Sequence, residues 1–421
     1  MNSLPDKLRP VSPGQLLAVI LVLGFGLRLL FVLLFVDLHT DSYWEYGDIA
    51  KNLHAGKGYS FFYFNGEKHI HAFNPLASPL PSAYMAPGYV AVLYPFLILE
   101  NIVLRNILIL LFHTIVGMWT IYSVYVLTRD YFSRSAGMIA AAIAALLPEF
   151  VYASGSFTPT VLYHLGVVLL LWLLYRIRKH GQNRQLLLMA LLSVALVYLR
   201  TEFLVFVFVL VLYLLFRVNV RSALVVAGVT LVLLAPWQVR NYEAFGEWVP
   251  FSTSGGLNLF RGHNEVNLGA WGDETTITQV AEIPSGPKYE LDLNRVYFNR
   301  AIQFISGHPG AEVLNSVRKA GQFWFFNPDE DRALTPWYLF PWIILLAAGL
   351  TGAIAGGSWR RHGITLLFLG YSTLVVLVFF VLPRYQTMMK IAIVPFAAIG
   401  FERLFLALSH RQARGKAGEE I

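Results

Sequence analysis

Long apolar runs joined by short polar breaks dominate the chain. The first, residues 15–36, has the length to cross ~30 Å of hydrocarbon as a helix rising about 1.5 Å per residue. Further runs occupy 104–128, 135–148, 156–175, 185–199, 202–216, 222–236, 337–356, 363–382 and 389–408. The pattern therefore predicts an all-α integral membrane protein with about ten transmembrane helices and outer juxtamembrane helices. Two breaks carry charge between runs that return without a long loop, Pro148-Glu149 and Arg200-Thr201-Glu202, and both are predicted at membrane boundaries. Arg28 falls inside the first run, where an ionisable group is costly, so it is expected to face protein rather than lipid. Two polar stretches interrupt the rhythm, 37–88 and 238–335, and the second is too long for a turn and predicts a small extramembrane lobe.

Composition turns this pattern into a class. Of 421 residues, 56% are hydrophobic and 14% charged, with a mean hydropathy of +0.57; a soluble core could not hide that much apolar side chain. The absence of cysteine removes disulfides, thiolate nucleophiles and cysteine-based metal sites. The net charge of +7 is spread over the breaks rather than gathered in a patch, which argues against nucleic acid as a partner. The first run is too long for a signal-peptide core and no small-residue cleavage site follows it, so it is expected to remain as a span.

Short basic loops set the expected orientation. With both termini cytoplasmic, Arg129 and Arg134, the segment Arg176 to Arg184, Arg217 and Arg221, Arg360 and Arg361, and the segment Arg411 to Lys416 all lie inside, as the positive-inside rule requires. The expected layout is then a cytoplasmic tail at 1–14 and an N-terminal transmembrane module at 15–237, which includes the outer loop 37–88. An outer soluble lobe at 238–335, C-terminal spans at 336–408 and a cytoplasmic tail at 409–421 complete it. This layout brings the 37–88 loop, the lobe and Arg200, Arg240 and Arg384 to the outer face of a plasma (inner) membrane.

The stretch Leu38 to Tyr59 is the first place where carboxylates gather beside the membrane. If it is helical, Asp41, Glu45 and Asp48 stand at i, i+4 and i+7 on one face, and by spacing alone any of the three could serve as a base. Arginines facing them across one membrane surface suit a phosphate carried by a lipid, because the guanidinium fork matches phosphate oxygens bidentately. Neither a G-x-x-x-x-G-K-[ST] loop nor a G-x-G-x-x-G turn occurs, so nothing supports a nucleotide-driven reaction. His69 and His71 alternate as on a strand and could present two imidazoles to a divalent cation, although no carboxylate completes the set at fixed spacing. His263 is a second loop histidine, for which satisfaction by backbone is the simpler expectation. Tyr59, Phe61, Phe62, Tyr63 and Phe64 could stack on a sugar or form an interfacial aromatic belt.

Taken in order, these residues resemble the polyprenyl-phosphate-sugar-dependent glycosyltransferases of the C-type membrane fold, which include the protein O-mannosyltransferases and the aminoarabinose transferases. Asp41-Ser42, Tyr46, Ile49-Ala50, Asn52-Leu53 and Gly56-Lys57-Gly58-Tyr59 are similar to the family's first outer loop. Ala83-Tyr84-Met85-Ala86-Pro87-Gly88-Tyr89 is similar to its entry to the second span. Pro148-Glu149, Arg200-Thr201-Glu202, Pro236-Trp237 with Arg240-Asn241, Gly256-Leu257-Asn258-Leu259 with Gly262-His263-Asn264, and Arg384-Tyr385 recur in comparable places. Ser42 stands where many members have an acidic residue, and Met85-Ala86 where the aminoarabinose branch has Glu-Lys, so no metal ligand or lysine contact is carried over from that branch.

The resemblance implies an inverting transfer of a sugar from a polyprenyl-phosphate donor to an acceptor hydroxyl of a glycan, lipid or protein. It implies Asp41 as general base and Tyr46, Asp48, Tyr59, Tyr84, Arg200, Arg240, Asn258, Arg261, Arg384 and Tyr385 around the substrates. No cofactor is assigned, and the metal question stays open with a divalent ion possible. The alternatives are a transporter or flippase for lipid-linked sugars, against which stands the lack of related halves, and a non-catalytic subunit that presents acceptor.

Overall fold

In the computed structural model, the structure describes residues 12–65, 68–70, 72–180, 183–264, 283–284, 286–328, 331–356 and 359–419. The first run forms α1 (Pro13–Phe35), started by a capping box between Ser12 and Gln15. A short helix α2 (Trp44–His54), a two-stranded antiparallel hairpin of β1 (Tyr63–Asn65) and β2 (Lys68–Ile70), and α3 (Pro87–Leu93) follow. The apolar helices α4 (Ile102–Tyr131), α5 (Arg134–Leu146), α6 (Pro148–Ser154), α7 (Thr160–His180), α8 (Asn183–Leu199), α9 (Phe203–Arg217) and α10 (Val220–Phe245) come next. The lobe contains α11 (Gly255–Gly262), α12 (Tyr289–Gly307) and α13 (Pro309–Trp324). Helices α14 (Pro336–Ala355), α15 (Trp359–Val378) and α16 (Pro383–Glu419) close the chain.

Six of these helices are long and apolar enough to cross a membrane, seven if the bent pair α5 and α6 counts as one. The expected ten are reached only by adding α8, α9 and residues 363–378 of α15, which are shorter apolar helices. At about 1.5 Å per residue such helices span less than ~30 Å, so neighbours or interfacial residues must complete the crossing. The lobe boundary expected at 237 falls inside α10, which runs through Pro236 to Phe245 before Gly246 ends it with φ 66°.

Buried charges hold the bundle at its irregular points. The chain bends by 59° between α5 and α6, because Pro148 cannot donate to the ladder. The carbonyls freed there are capped by Arg28, which donates to Ala144 O at 3.0 Å and Ala145 O at 3.1 Å, and to Ser154 Oγ at 3.2 Å. The inward-facing structural role expected of Arg28 is thus present. Just past the same bend, Glu149 forms a buried 2.5 Å ion pair with Lys390 of α16, whose ammonium also sits 4.1 Å and 4.6 Å from the ring centres of Tyr338 and Trp342 on α14. One apolar core runs through α4, α5, α7, α8 and α9 to α14, α15 and α16. A second, aromatic core joins α2, α3 and the lobe through Tyr43, Phe61, Phe62, Tyr84, Tyr89, Tyr289 and Tyr297.

Candidate functional site

Asp41 lies three residues before α2 rather than on it. The helix starts at Trp44, with Tyr43 as an N-cap that makes no side-chain cap bond. The expected single face of Asp41, Glu45 and Asp48 is therefore not formed, nor does Asp41 sit in the helix's first turn. The segment before α2 is held instead by Asn106 of α4, whose amide donates to Leu38 O at 2.9 Å and Thr40 O at 2.8 Å while its oxygen accepts the Tyr43 hydroxyl at 2.6 Å. Two cations then reach the Asp41 carboxylate: Lys51 Nζ donates to Oδ2 at 2.7 Å and Arg105 Nη2 to Oδ1 at 2.8 Å. The Asp41 side chain stays 46% exposed while those of Lys51 and Arg105 are 13% and 9% exposed, so a carboxylate open to solvent rests on two largely covered cations. Trp44, next to Glu45, adopts φ 58°, a left-handed conformation that costs a non-glycine residue roughly 1–2 kcal/mol.

Four of the expected substrate residues gather at the adjoining ends of α2, α8 and α16. Arg200, immediately after α8, places its guanidinium 4.8 Å from the ring centre of Tyr385, and Arg384 lies 5.8 Å from the same ring. Both arginines act electrostatically on the Tyr46 hydroxyl, as do Glu45 and Glu202. Burial pushes that hydroxyl up to about 12 against the pull of the arginines, so it remains a neutral donor. Arg200 is paired with Glu202, whereas Arg384 makes no ion pair among the described residues. It occupies the first turn of α16, just past Pro383, where free backbone amides and the helix dipole also favour an anion. Close packing against α3 sets the end of α8: a Cβ on Gly88 would come within 2.6 Å of the Tyr198 carbonyl oxygen. The glycine of the Pro87-Gly88-Tyr89 motif thus lets α3 touch the backbone two residues before Arg200.

Arg240 and Tyr59 belong to a neighbouring scaffold. Arg240 donates to the carbonyls of Ser82 at 2.5 Å and Tyr59 at 2.6 Å and lies over the rings of Tyr59 and Trp237. With its donors spent on backbone, it ties the 59–62 and 80–83 segments together. Glu290 of α12 completes the tie, accepting from Ser82 Oγ at 2.8 Å and Ala83 N at 2.9 Å; burial raises its carboxyl to about 7. Tyr59 donates to Met85 O at 2.8 Å. Tyr84 is buried between this scaffold and the lobe, with Glu45, Glu290 and Arg261 acting on its hydroxyl. Arg261 is itself buried on α11, and Asn258 on the same helix and Asp48 on α2 are half-buried. Among the described residues Asn258 makes no hydrogen bond to Arg200 or Arg384.

Phe61 and Phe62 are buried against Tyr84 and Tyr289, and so form core rather than a sugar platform or an interfacial belt. His263 bonds Val378 O at 2.9 Å through Nε2 and Glu312 Oε2 at 2.6 Å through Nδ1, satisfied by backbone as expected and by a carboxylate in addition. His71 lies outside the described residues, as does the side chain of His69. Among the described residues no three histidines, aspartates or glutamates come together as ligands, and the groups meeting Asp41 are cations, a poor donor set for a divalent ion.

Sequence reasoning passed over Lys51, Arg105, Glu290 and Lys390. Arg105 and Lys390 each lie within or at the edge of an apolar run, and the cost of charge there was the signal that could have found them. Lys51 and Glu290 had none, since each is ordinary for a polar segment.

Residues 86–239 match the family described as dolichyl-phosphate-mannose-protein mannosyltransferase. The matched span includes Arg105, Glu149 and Arg200 and leaves Asp41 and Arg384 outside. No curated protein sequence matches the chain. Among solved structures, the oligosaccharyltransferase of Archaeoglobus fulgidus in its apo form superposes with a TM-score of 0.56 at 13% identity, covering 97% of this chain and 52% of that one. The archaeal oligosaccharyltransferase AglB of the same organism, in complex with an inhibitory peptide and a dolichol-phosphate, gives 0.56 at 14% identity, covering 96% and 52%. The oligosaccharyltransferase complex with Zn and sulfate gives 0.54 at 15%, covering 94% and 50%. This chain therefore spans about half the length of those structures and shares the fold of their matching part, a multi-pass membrane helical bundle.

Proposed function

We propose that the chain is an inverting glycosyltransferase that moves a sugar from a polyprenyl-phosphate donor to an acceptor hydroxyl on the outer face of the membrane. The observation that carries this reading is Arg384, unpaired with any acid among the described residues, set beside Arg200 and the Tyr46 and Tyr385 rings at a helix N-terminus. Arg384 is exposed and has no carboxylate partner among the described residues, so its guanidinium fork is open to an anion brought from outside. The family match and the shared fold supply the chemical class of that anion, a lipid-linked phosphate.

The chemistry then needs few groups. The acceptor hydroxyl attacks the anomeric carbon and loses its proton to a carboxylate, and the lipid phosphate leaves already ionised, so no general acid is required. Arg384, with Arg200 behind it and the first amides of α16 alongside, meets the charge that builds on the departing phosphate. Asp41 is the base in this reading. Lys51 and Arg105 hold its two oxygens in a fixed plane while its open side remains available to the acceptor. The acceptor is a hydroxyl of a glycan, lipid or protein, and the donor reaches the site laterally through the bilayer.

Membranes containing the protein, supplied with a polyprenyl-phosphate sugar, test this directly. The D41N variant keeps the size and hydrogen-bonding shape of the residue but cannot take the proton, so transfer is expected to fall by roughly a hundredfold or more while donor binding persists. If D41N transfers normally and E45Q does not, the base is Glu45, the half-buried carboxylate that acts on Tyr46 and Tyr84.

A further inference from the structure

Helix α13 is built inside out. At about 100° of rotation per residue, Glu312, Asn315, Lys319 and Gln322 share one face, and all four are buried. On the face directly opposite stand Val313, Leu314 and Val317, which are 68%, 71% and 64% exposed. A helix on a water-soluble lobe has the reverse arrangement, apolar inward and polar outward.

The inward face is fixed by specific bonds. Lys319 Nζ, on a residue with no exposed surface, donates to Leu377 O at 2.8 Å and Phe379 O at 2.9 Å. These carbonyls lie at the C-terminal end of α15, where a cation is favoured. Asn315 donates to Gly262 O at 2.9 Å, Glu312 holds His263 at 2.6 Å, and Gln322 donates to Asn327 Oδ1 at 3.0 Å. Rotating α13 to hide its aliphatic face would break this whole set and leave His263 and the Gly262, Leu377 and Phe379 carbonyls facing apolar side chains without partners. The aliphatic face is therefore held outward by the same contacts that fix the helix in place.

Those contacts also set its height. Residues 377–379 are where α15 ends, and Trp324 at the end of α13 donates to Thr373 Oγ1 of α15 at 3.1 Å. The Trp324 carbonyl in turn accepts from Trp342 of the membrane-spanning α14 at 3.2 Å. Phe325, which follows α13, and Trp337 and Phe340 in the first turns of α14 are exposed as well. At the flank between the two faces stands exposed Arg318, which makes no ion pair among the described residues.

We propose that α13 is an interfacial helix, with Val313, Leu314 and Val317 among the acyl chains of the leaflet around the N-terminal ends of α14 and α16, and Arg318 among its phosphate headgroups. The bonds that tie α13 to the ends of α14 and α15, the exposed aromatics at the start of α14, and a cation at the polar edge favour a bilayer over a protein partner. The inference does not depend on glycosyl transfer.

Because the natural chain has no cysteine, single spin labels can be placed at will. Full-length V313C, L314C and V317C are labelled in liposomes of phosphatidylethanolamine and phosphatidylglycerol, and collisions with oxygen and with a water-soluble nickel chelate are measured. References are L231C, on the exposed apolar side of the span α10, and A72C, in an exposed loop. The three α13 labels are expected to follow L231C, with collisions shifted toward oxygen and nickel accessibility lost. Labels that follow A72C would mean that the face is in water, and labels shielded from both reagents would mean that protein covers it. Either result overturns the proposal. All three positions are exposed, so folding is retained and every outcome is readable.

Discussion

At the scale of single residues, the clearest division is between arginines whose donors are spent within the fold and Arg384. Arg28 and Arg240 spend their donors on backbone carbonyls, Arg105 on Asp41 and Arg200 on Glu202. Arg384 has the Tyr385 ring nearby and, among the described residues, no carboxylate bound. R384K keeps the charge but loses the planar fork, and a charge-assisted bond is worth about 1.5–3 kcal/mol, so transfer should drop about tenfold or more with folding intact. Full transfer activity in R384K would remove Arg384 from the phosphate site. Glu290 gives a prediction of stability. Its carboxyl is raised from 4.5 to about 7 by burial, so the folded state binds the extra proton between those values. Its contribution is then fully present below 4.5 and lost as pH rises through about 7. Thermal unfolding in detergent should show the midpoint falling across that window in the natural protein and a flatter profile in E290Q. Equal slopes would mean that another group titrates there.

At the scale of elements, the site depends on where helices stop. Pro148 and Pro383 end or start helices beside Glu149 and Arg384, and Gly88 lets α3 approach the last turn of α8. G88A introduces a Cβ 2.6 Å from the Tyr198 carbonyl oxygen, so either α3 or the end of α8 must move. Overpacking of this kind costs about 1–3 kcal/mol. G88A should therefore lower the unfolding midpoint and, because Arg200 follows two residues later, weaken donor binding. An unchanged midpoint together with normal donor binding would show that the α3 contact does not set Arg200. The charged face expected along α2 failed for a related reason. Spacing supposes a helix already under way at Asp41, whereas Asn106 holds Leu38 and Thr40 in a non-helical path until Trp44.

At the scale of the whole molecule, the expected orientation and the proposed outer-face site stand or fall together. A cysteine at Ala72, exposed in the loop beyond β2, should react with an impermeant maleimide in intact cells, and one at Ser409, exposed near the end of α16, only after permeabilisation. Reversed labelling would put Asp41 and Arg384 on the cytoplasmic side and remove the outer-face reading, though not the shared fold.

What the sequence by itself determined is what the bilayer imposes. Apolar runs long enough to cross it, the break at Pro148, the inward-facing Arg28 and the helical class are all legible residue by residue, because hydrocarbon penalises every exposed polar group in the same way wherever it occurs. The grouping of Tyr46 with Arg200, Arg384 and Tyr385 was legible only as a resemblance, since no spacing relates residues so far apart. Tertiary structure decided the partners. It set Lys51 and Arg105 on Asp41, turned Arg240 into a backbone clamp, buried Phe61 and Phe62, and put the polar side of α13 inward. A charge can be matched by any of several opposite groups at equal sequence cost, and only the packing of helices against one another selects which of them comes within 3 Å of it.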